Sequence, residues 1–238
     1  MANRPFFIPS SNKENLVETQ TVEFKWFSGF AKTQKQKSVI SFHESIFKEF
    51  KFNKILEIST KSENKLGKKL SAFNLKIKFK EKDYFLESLF QGSKVFSDQG
   101  PFTDLYEKQP NEAKKDERIK RKDLIEFRFF GEKFSLEFDF YSWLYFIALN
   151  QNKDLTKEIL EYQAFTDIEF NPQKSFNCQA FSAALYSAMI KNELLDGNKI
   201  YYTNELKELI PPKKKQKLST NVNLNFKILT YLCYIFLK

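Results

Sequence analysis

Glu87, Gln91 and Lys94 fall at i, i+4 and i+7 in the stretch Glu87-Ser88-Leu89-Phe90-Gln91-Gly92-Ser93-Lys94. A helix turns about 100° per residue, so this spacing predicts a carboxylate, an amide and an amine on one narrow stripe. Leu86, Leu89 and Phe90 lie beside it and can anchor the helix, and Asp83 is placed to act as its N-cap. A lysine amine in a partly apolar pocket has a lowered pKa, which frees it as a nucleophile toward a masked aldehyde such as the anomeric carbon of ribose. A neighbouring carboxyl can carry a proton to a departing base. Lys94 and Glu87 are expected in those two roles, with Gln91 fixing orientation. The competing reading is a solvated helix face with an ordinary Glu/Lys pairing, and spacing alone leaves both open. Asp167 and Glu169 offer carboxylates for sugar hydroxyls, and Trp26, Phe27 and Phe30 offer rings on which a nucleobase can stack.

The elements that must position these groups are read from hydrophobic period. Residues 1–20, with Pro5, Pro9 and a Ser/Asn cluster, are expected to be irregular. Val22, Phe24 and Trp26 alternate with charged residues, as in a half-buried strand, and Val39, Phe42, Ile46 and Phe50 recur at helical spacing over residues 34–50. A short strand is expected over residues 54–59 and a clearer one through Phe73, Leu75, Ile77 and Phe79. Pro110 is suited to open a short helix, and Phe127 and Phe129 lead into a hairpin closed near Gly131. Residues 141–149 are apolar all round, which predicts a central buried helix. Residues 154–165 read as an amphipathic helix, and residues 177–195 as a long helix with a ladder of Ala180, Ala184 and Ala188. Beyond Leu195 the pattern weakens into a Lys-rich linker at residues 211–217 and an apolar run at 228–237, too short for an ordinary spanning helix of about 20 residues.

Composition narrows the chemistry. The 238 residues fit one large domain, or one domain plus a tail, with 42% apolar residues and 28 Phe for a core. A net charge of +9 suits acidic partners, nucleic acid among them. Two cysteines, Cys178 and Cys233, make neither a disulfide framework nor a Cys-based zinc site, and the lone His43 argues against a multi-His metal centre or a Ser-His-Asp triad. No metal and no cofactor is expected. The N-terminus lacks the apolar run of a signal peptide, so a cytoplasmic protein with no membrane role is expected.

The motifs together resemble the NADAR family. Glu87-Ser88-Leu89-Phe90-Gln91-Gly92-Ser93-Lys94 resembles its Glu-His-x-x-Gln-x-x-Lys pattern, with Ser88 in place of His. Phe27-Ser28-Gly29-Phe30 is similar to Phe-Ser-Asn-Phe, and Pro110-Asn111-Glu112-Ala113-Lys114 to Pro-x-x-Ala-Lys. Asp167-Ile168-Glu169 resembles a Leu-Val-Glu segment, and Asn177-Cys178-Gln179-Ala180 an Asn-x-x-Gly helix start. The branch of antitoxins encoded beside DarT-type DNA ADP-ribosyltransferases is the nearer likeness. Phe24-Lys25-Trp26, Gln34-Lys35-Gln36-Lys37-Ser38, Gly100-Pro101-Phe102-Thr103-Asp104-Leu105-Tyr106 and Phe165-Thr166-Asp167-Ile168-Glu169-Phe170-Asn171-Pro172 carry it. The likeness covers residues 1–195, and residues 196–238 form a tail outside it.

The resemblance implies an α+β fold, mainly helical and YbiA-like, with a small antiparallel sheet of short strands. It implies a metal-independent ADP-ribosyl glycohydrolase that cleaves the bond between ADP-ribose and guanine, acting on ADP-ribosylated DNA and neutralising a cognate DarT-type toxin. Carried over by position, Glu87 and Lys94 match the catalytic motif, with Lys94 as the Schiff-base nucleophile. Gln91, Trp26, Phe27, Gly29, Phe30, Asp167, Glu169 and Asn177 are the implied substrate contacts. The pyrophosphate needs cations or backbone N–H groups, and Lys35 and Lys37 are the candidate cations. Two other readings remain: an N-glycosidase of small riboflavin-pathway metabolites, and a binding module that holds ADP-ribose or the toxin without turnover.

Overall fold

In the computed structural model, residues 1–211 are described except Lys174 and Phe176. The basic run at 213–217 and the apolar run at 228–237 lie outside the described residues. The largest sheet has four strands: β1 (Ala2–Pro9), β2 (Val17–Phe24), β3 (Ile55–Glu57) and β9 (Ala164–Thr166), in the order β2-β1-β9-β3. The expected irregular lead-in is thus a strand pair, running antiparallel from Ala2 opposite Phe24 to Pro9 opposite Val17. Proline cannot donate to a ladder, but the other edge of β1 meets β9 only at Phe7 opposite Phe165, so Pro5 and Pro9 are tolerated there. β3 and β9 run parallel, so this sheet is mixed rather than antiparallel. Helix α1 (Lys32–Phe50) lies against it and buries Val39, Phe42 and Ile46 with Phe6, Val22, Phe24 and Ala164.

Two antiparallel hairpins follow. β4 (Lys76–Phe79) pairs with β5 (Lys82–Phe85) through the two-residue turn Lys80-Glu81, both at positive φ (47° and 63°). A tight hairpin needs such left-handed residues and usually recruits Gly or Asn, so this turn carried no sequence signal. Asp83 accordingly sits in a strand and caps nothing. β6 (Lys94–Phe96), β7 (Leu124–Phe129) and β8 (Glu132–Phe134) form a three-stranded sheet.

Helix α5 (Phe140–Gln151) is buried from Phe140 to Asn150, as its all-round apolarity predicts. Its few polar groups are satisfied locally: Asp139 caps it, accepting from the Ser142 backbone N–H at 3.1 Å and the Ser142 hydroxyl at 2.7 Å, and the Tyr145 hydroxyl donates to the Leu70 carbonyl at 2.8 Å. Helix α7 (Gln179–Lys191) packs against α5, and Ala180, Ala184 and Ala188 are wholly buried. The predicted helix at 154–165 is shorter: α6 (Lys153–Ile159) stops and Phe165 joins β9. A further helix, α8 (Thr203–Leu209), docks on α5, where the Trp143 indole donates to the Thr203 carbonyl at 3.2 Å and Leu206 is buried. With nine strands in three sheets beside eight α-helices among the described residues, the chain is α+β without being mainly helical.

Gly100 pins the strand that begins at Lys94. Its φ is +105°, and a Cβ there would stand 2.4 Å from the Lys94 carbonyl oxygen. Gly100→Ala should therefore lower stability by about 1–3 kcal/mol, since backbone on both sides must shift. Chemical denaturation of parent and variant measures this.

Candidate active site

Helix α3 (Leu86–Gly92) opens without a side-chain cap. Its first backbone donors are satisfied by the preceding chain: Leu86 N–H bonds the Leu75 carbonyl at 3.0 Å and Glu87 N–H the Ala72 carbonyl at 3.1 Å. All seven residues of the helix are buried. Glu87 is 5% exposed and Gln91 6% exposed, and the Gln91 amide donates to the Glu87 carboxylate at 2.9 Å. The Gln91 carbonyl oxygen is buried with no hydrogen-bond partner. A buried orphan acceptor costs roughly 1–3 kcal/mol, which a ligand N–H or O–H would relieve.

The continuous stripe is not what forms. The helix ends at Gly92, Ser93 is its C-cap, and Lys94 is the first residue of β6. The physical cause is a clamp at the junction. The Ser93 hydroxyl turns back to the Leu89 carbonyl at 2.8 Å, and the Arg128 N–H takes the Ser93 carbonyl into the β-sheet at 2.8 Å. A Cβ on Gly92 would lie 2.6 Å from the Tyr106 ring, so the helix can pack here only as glycine. Lys94 nevertheless shares an environment with Glu87. Its amine lies 5.3 Å from the centre of the Phe90 ring, and its pKa is lowered to about 8. Burial is the main cause and the Lys114 charge adds to it, while the Glu87 carboxylate works against both.

Lys114 is the residue that sequence reasoning missed as a site group. It was visible only as the last position of the Pro-x-x-Ala-Lys element. Helix α4 (Pro110–Lys115), opened by Pro110, brings its amine to 4.0 Å from Glu87 and 5.1 Å from the centre of the Phe73 ring. Ser88, which stands where the motif resemblance has His, ties α3 to this part of the chain by donating to the Lys108 carbonyl at 2.8 Å. Lys114→Met should raise the pKa of Lys94 above about 8, because a neighbouring positive charge is removed. NMR titration of the reductively methylated amines reads that shift without any substrate.

A second group of carboxylates adjoins the first. Tyr141, 6% exposed, has its phenol pushed well up by burial first and then by the charges of Glu87 and Asp167 among others. Asp167 is 7% exposed; burial and Glu57 push its carboxyl well up, while the Glu169 N–H (3.0 Å), the Gln179 amide and the Lys114 charge oppose them. The Gln179 carbonyl also accepts from Ala72 N–H at 2.8 Å, so the turn at 71–73 borders both Glu87 and Asp167. Glu57 holds the segment from beneath. It accepts from the Ser59 hydroxyl at 2.6 Å, the Thr166 hydroxyl at 2.7 Å and the Ile168 N–H at 2.9 Å. Because Thr166 donates to Glu57, the His43 Nε2, 2.8 Å from the Thr166 hydroxyl, is the donor of that pair, and the imidazole is neutral.

Burial lowers the His43 pKa to about 4. Its folded value lies below the unfolded one, so its contribution to stability is complete above about 6.5 and is lost as pH falls toward about 4. Urea unfolding at both ends of that window should show parent losing about 2 kcal/mol more than His43→Gln, a discounted value for a half-buried ring.

The remaining predicted contacts separate into two sets. Lys35 pairs with Glu169 at 3.4 Å and lies 4.6 Å from the Trp26 ring centre, so these three stand together one residue beyond Ile168. Phe27 is half-buried, with its N–H on the Ser38 hydroxyl at 2.9 Å and Lys25 over its ring. Gly29 takes φ +124°, which turns the chain into α1. Phe30 is fully exposed and Lys37 is exposed, so neither touches the Glu87 cluster in this structure. Asn177 is half-buried before α7, its carbonyl accepting from the Ser175 hydroxyl at 3.1 Å.

Two cavities lie away from this cluster. One of about 350 Å³ is bordered by Thr156, Leu160, Ile190 and Asp196, and one of about 270 Å³ by His43, Phe47 and Phe52. Neither is bordered by Glu87 or Lys94; at the Lys114–Glu87 pair the Lys114 side chain is 57% exposed and that of Glu87 7%. Among the described residues no three His, Cys, Asp or Glu side chains converge to hold a metal ion, and no helix is long and apolar enough to cross a membrane.

Among curated proteins none matches the chain. Residues 2–219 match the family described as the DarT1-associated NADAR antitoxin. That match spans the clustered Glu87, Gln91, Lys94, Lys114 and Asp167 and nearly the whole chain, and the protein therefore belongs to the DarT1-associated NADAR antitoxins.

Proposed function

We propose that this antitoxin is an ADP-ribosyl glycohydrolase that removes ADP-ribose from guanine in DNA and so reverses the mark left by its toxin. The observation that carries the reading is the Lys94 amine, half-buried and with its pKa lowered to about 8, within electrostatic reach of a Glu87 carboxylate that accepts from the Gln91 amide. In this reading Glu87 takes a proton from the Lys94 ammonium. The free amine attacks C1 of the ribose as the bond from C1 to the base nitrogen breaks. The electron pair leaves with the base, which receives the proton now on Glu87. The sugar ring then opens: the bond from C1 to the ring oxygen breaks, a proton moves from nitrogen to that oxygen, and a protonated Schiff base remains. Water adds at C1, the amine departs, and ADP-ribose and Lys94 are restored.

The other groups take binding roles. The orphan Gln91 carbonyl accepts from the substrate, and Asp167 meets sugar hydroxyls. Trp26 with Lys35 and Glu169 forms the outer part of the site. Incubation with an oligonucleotide carrying ADP-ribosylated guanine tests the reading: ADP-ribose and unmodified DNA are the expected products. Cleavage of free glycosylated metabolites alone would replace the substrate. Tight binding with no turnover would replace the enzyme by a binding module.

A further inference from the structure

A half-exposed ring and a group of lysines border the Glu87 cluster on one side, and no role assigned above uses them. Phe73 follows Ala72, whose carbonyl accepts from Glu87 N–H and whose own N–H bonds Gln179, so the ring stands at the rim between the two carboxylate groups. The Lys114 amine covers one side of it at 5.1 Å from its centre. Helix α2 (Lys65–Lys69) abuts the same turn: the Asn74 amide donates to the Lys68 carbonyl at 2.8 Å, and Ser71 N–H reaches it at 3.2 Å. Lys65 and Lys69 are exposed and Lys68 half-exposed, and among the described residues none of the three has an ion-pair partner. Cations in the last turn of a helix are favourable, so Lys68 and Lys69 stabilise α2, but the exposed Lys65 at its first turn opposes the macrodipole.

We propose that Phe73, Lys68 and Lys69 form a binding strip for single-stranded nucleic acid that leads into the site, the ring stacking a base beside the modified one and the lysines following the backbone. This rests on the reading of Glu87 and Lys94 as a site for a modified guanine. Glu87 and Gln91 are almost wholly buried, so a base reaches them only when taken out of a duplex stack, and the neighbouring nucleotides are then single-stranded at the rim. Stacking on an aromatic ring combined with phosphate-facing cations is how single strands are held without sequence preference. A protein partner would want a wider apolar patch than one ring among charges.

The test uses the full chain and a fluorescent, unmodified oligothymidylate of about twelve nucleotides, followed by anisotropy at several salt concentrations. Lys68→Ala/Lys69→Ala should reduce the slope of log affinity against log salt by about 1.4, roughly 0.7 for each phosphate that a lysine no longer neutralises. Phe73→Ala should weaken binding about tenfold with the slope unchanged. Phe73→Leu, which keeps apolar bulk, serves if the alanine variant does not fold. Lys13→Ala/Lys48→Ala is the control and should bind as parent does. Variants that match parent in affinity and slope, or a control that falls equally, overturn the strip. In a second arm, the same variants should slow release of ADP-ribose from a modified oligonucleotide at subsaturating concentration but not from ADP-ribosylated guanosine. If parent hydrolyses neither substrate the hydrolase reading fails, and the anisotropy arm still decides the strip.

Discussion

Lys94→Ala should lose at least about a thousandfold in the rate of ADP-ribose release, since the proposed nucleophile is gone and the remaining contacts would only bind. Fold loss is not expected to explain this. Lys94 begins a strand whose ladder to Phe127 is made by backbone, and its amine is poorly solvated, so removing it relieves a cost of burial. Thermal denaturation should show the variant at least as stable as parent at neutral pH. Lys94→Arg separates charge from nucleophilicity: it keeps the cation, cannot supply a neutral amine, and should be as inactive as alanine. In the parent, kcat/KM should fall as pH rises through about 8, because the proton that Lys94 hands to Glu87 for the departing base is then lost to solvent. A flat profile across that range would mean that Lys94 does not titrate in the free enzyme.

Glu87→Gln should cost about 10²–10⁴ in kcat, the usual worth of a positioned proton carrier. It also has a second, independent consequence. The Glu87 carboxylate is the one group that holds the Lys94 pKa up against burial and Lys114, so its neutralisation should move the alkaline limb to lower pH. The two effects oppose each other near neutrality, where more free amine meets no proton donor. The full pH profile therefore distinguishes this account from one in which Glu87 only packs. A purely structural Glu87 would change Tm and kcat without displacing the limb.

What could be read from the sequence followed physical simplicity. The central helix was legible because residues apolar on every side can only be buried, and Pro110 announced α4 because its fixed φ suits a first turn. The ladder of Ala180, Ala184 and Ala188 is a packing face, as small side chains at that spacing require. The missed elements are those whose cause lies far away in the chain. β1 and β2 hide behind prolines that an open strand edge tolerates, and β5 hides behind a turn with no glycine. Lys94 and Glu87 influence each other electrostatically, but not through the shared helical stripe that their spacing predicts. The helical stripe stops at Gly92, and Lys94 is carried into β6 by its pairing with β7, a contact between residues 94 and 127 that no local period reveals. Lys114 reaches Glu87 across a similar separation. Glu57 gave no signal, since a carboxylate inside a short strand reads as an exposed one until Thr166 and Ile168 are folded over it.

The central claim is a covalent bond between the Lys94 amine and the ribose of the substrate. It can be read by running the reaction on ADP-ribosylated DNA with cyanoborohydride present, which reduces a Schiff base to a stable amine, and locating the added mass by peptide mass spectrometry. The account predicts an ADP-ribose adduct on Lys94 in parent and a reduced yield in Glu87→Gln. Continued release of ADP-ribose with Lys94 unmodified, or an adduct of equal yield on another lysine in Lys94→Ala, would contradict it.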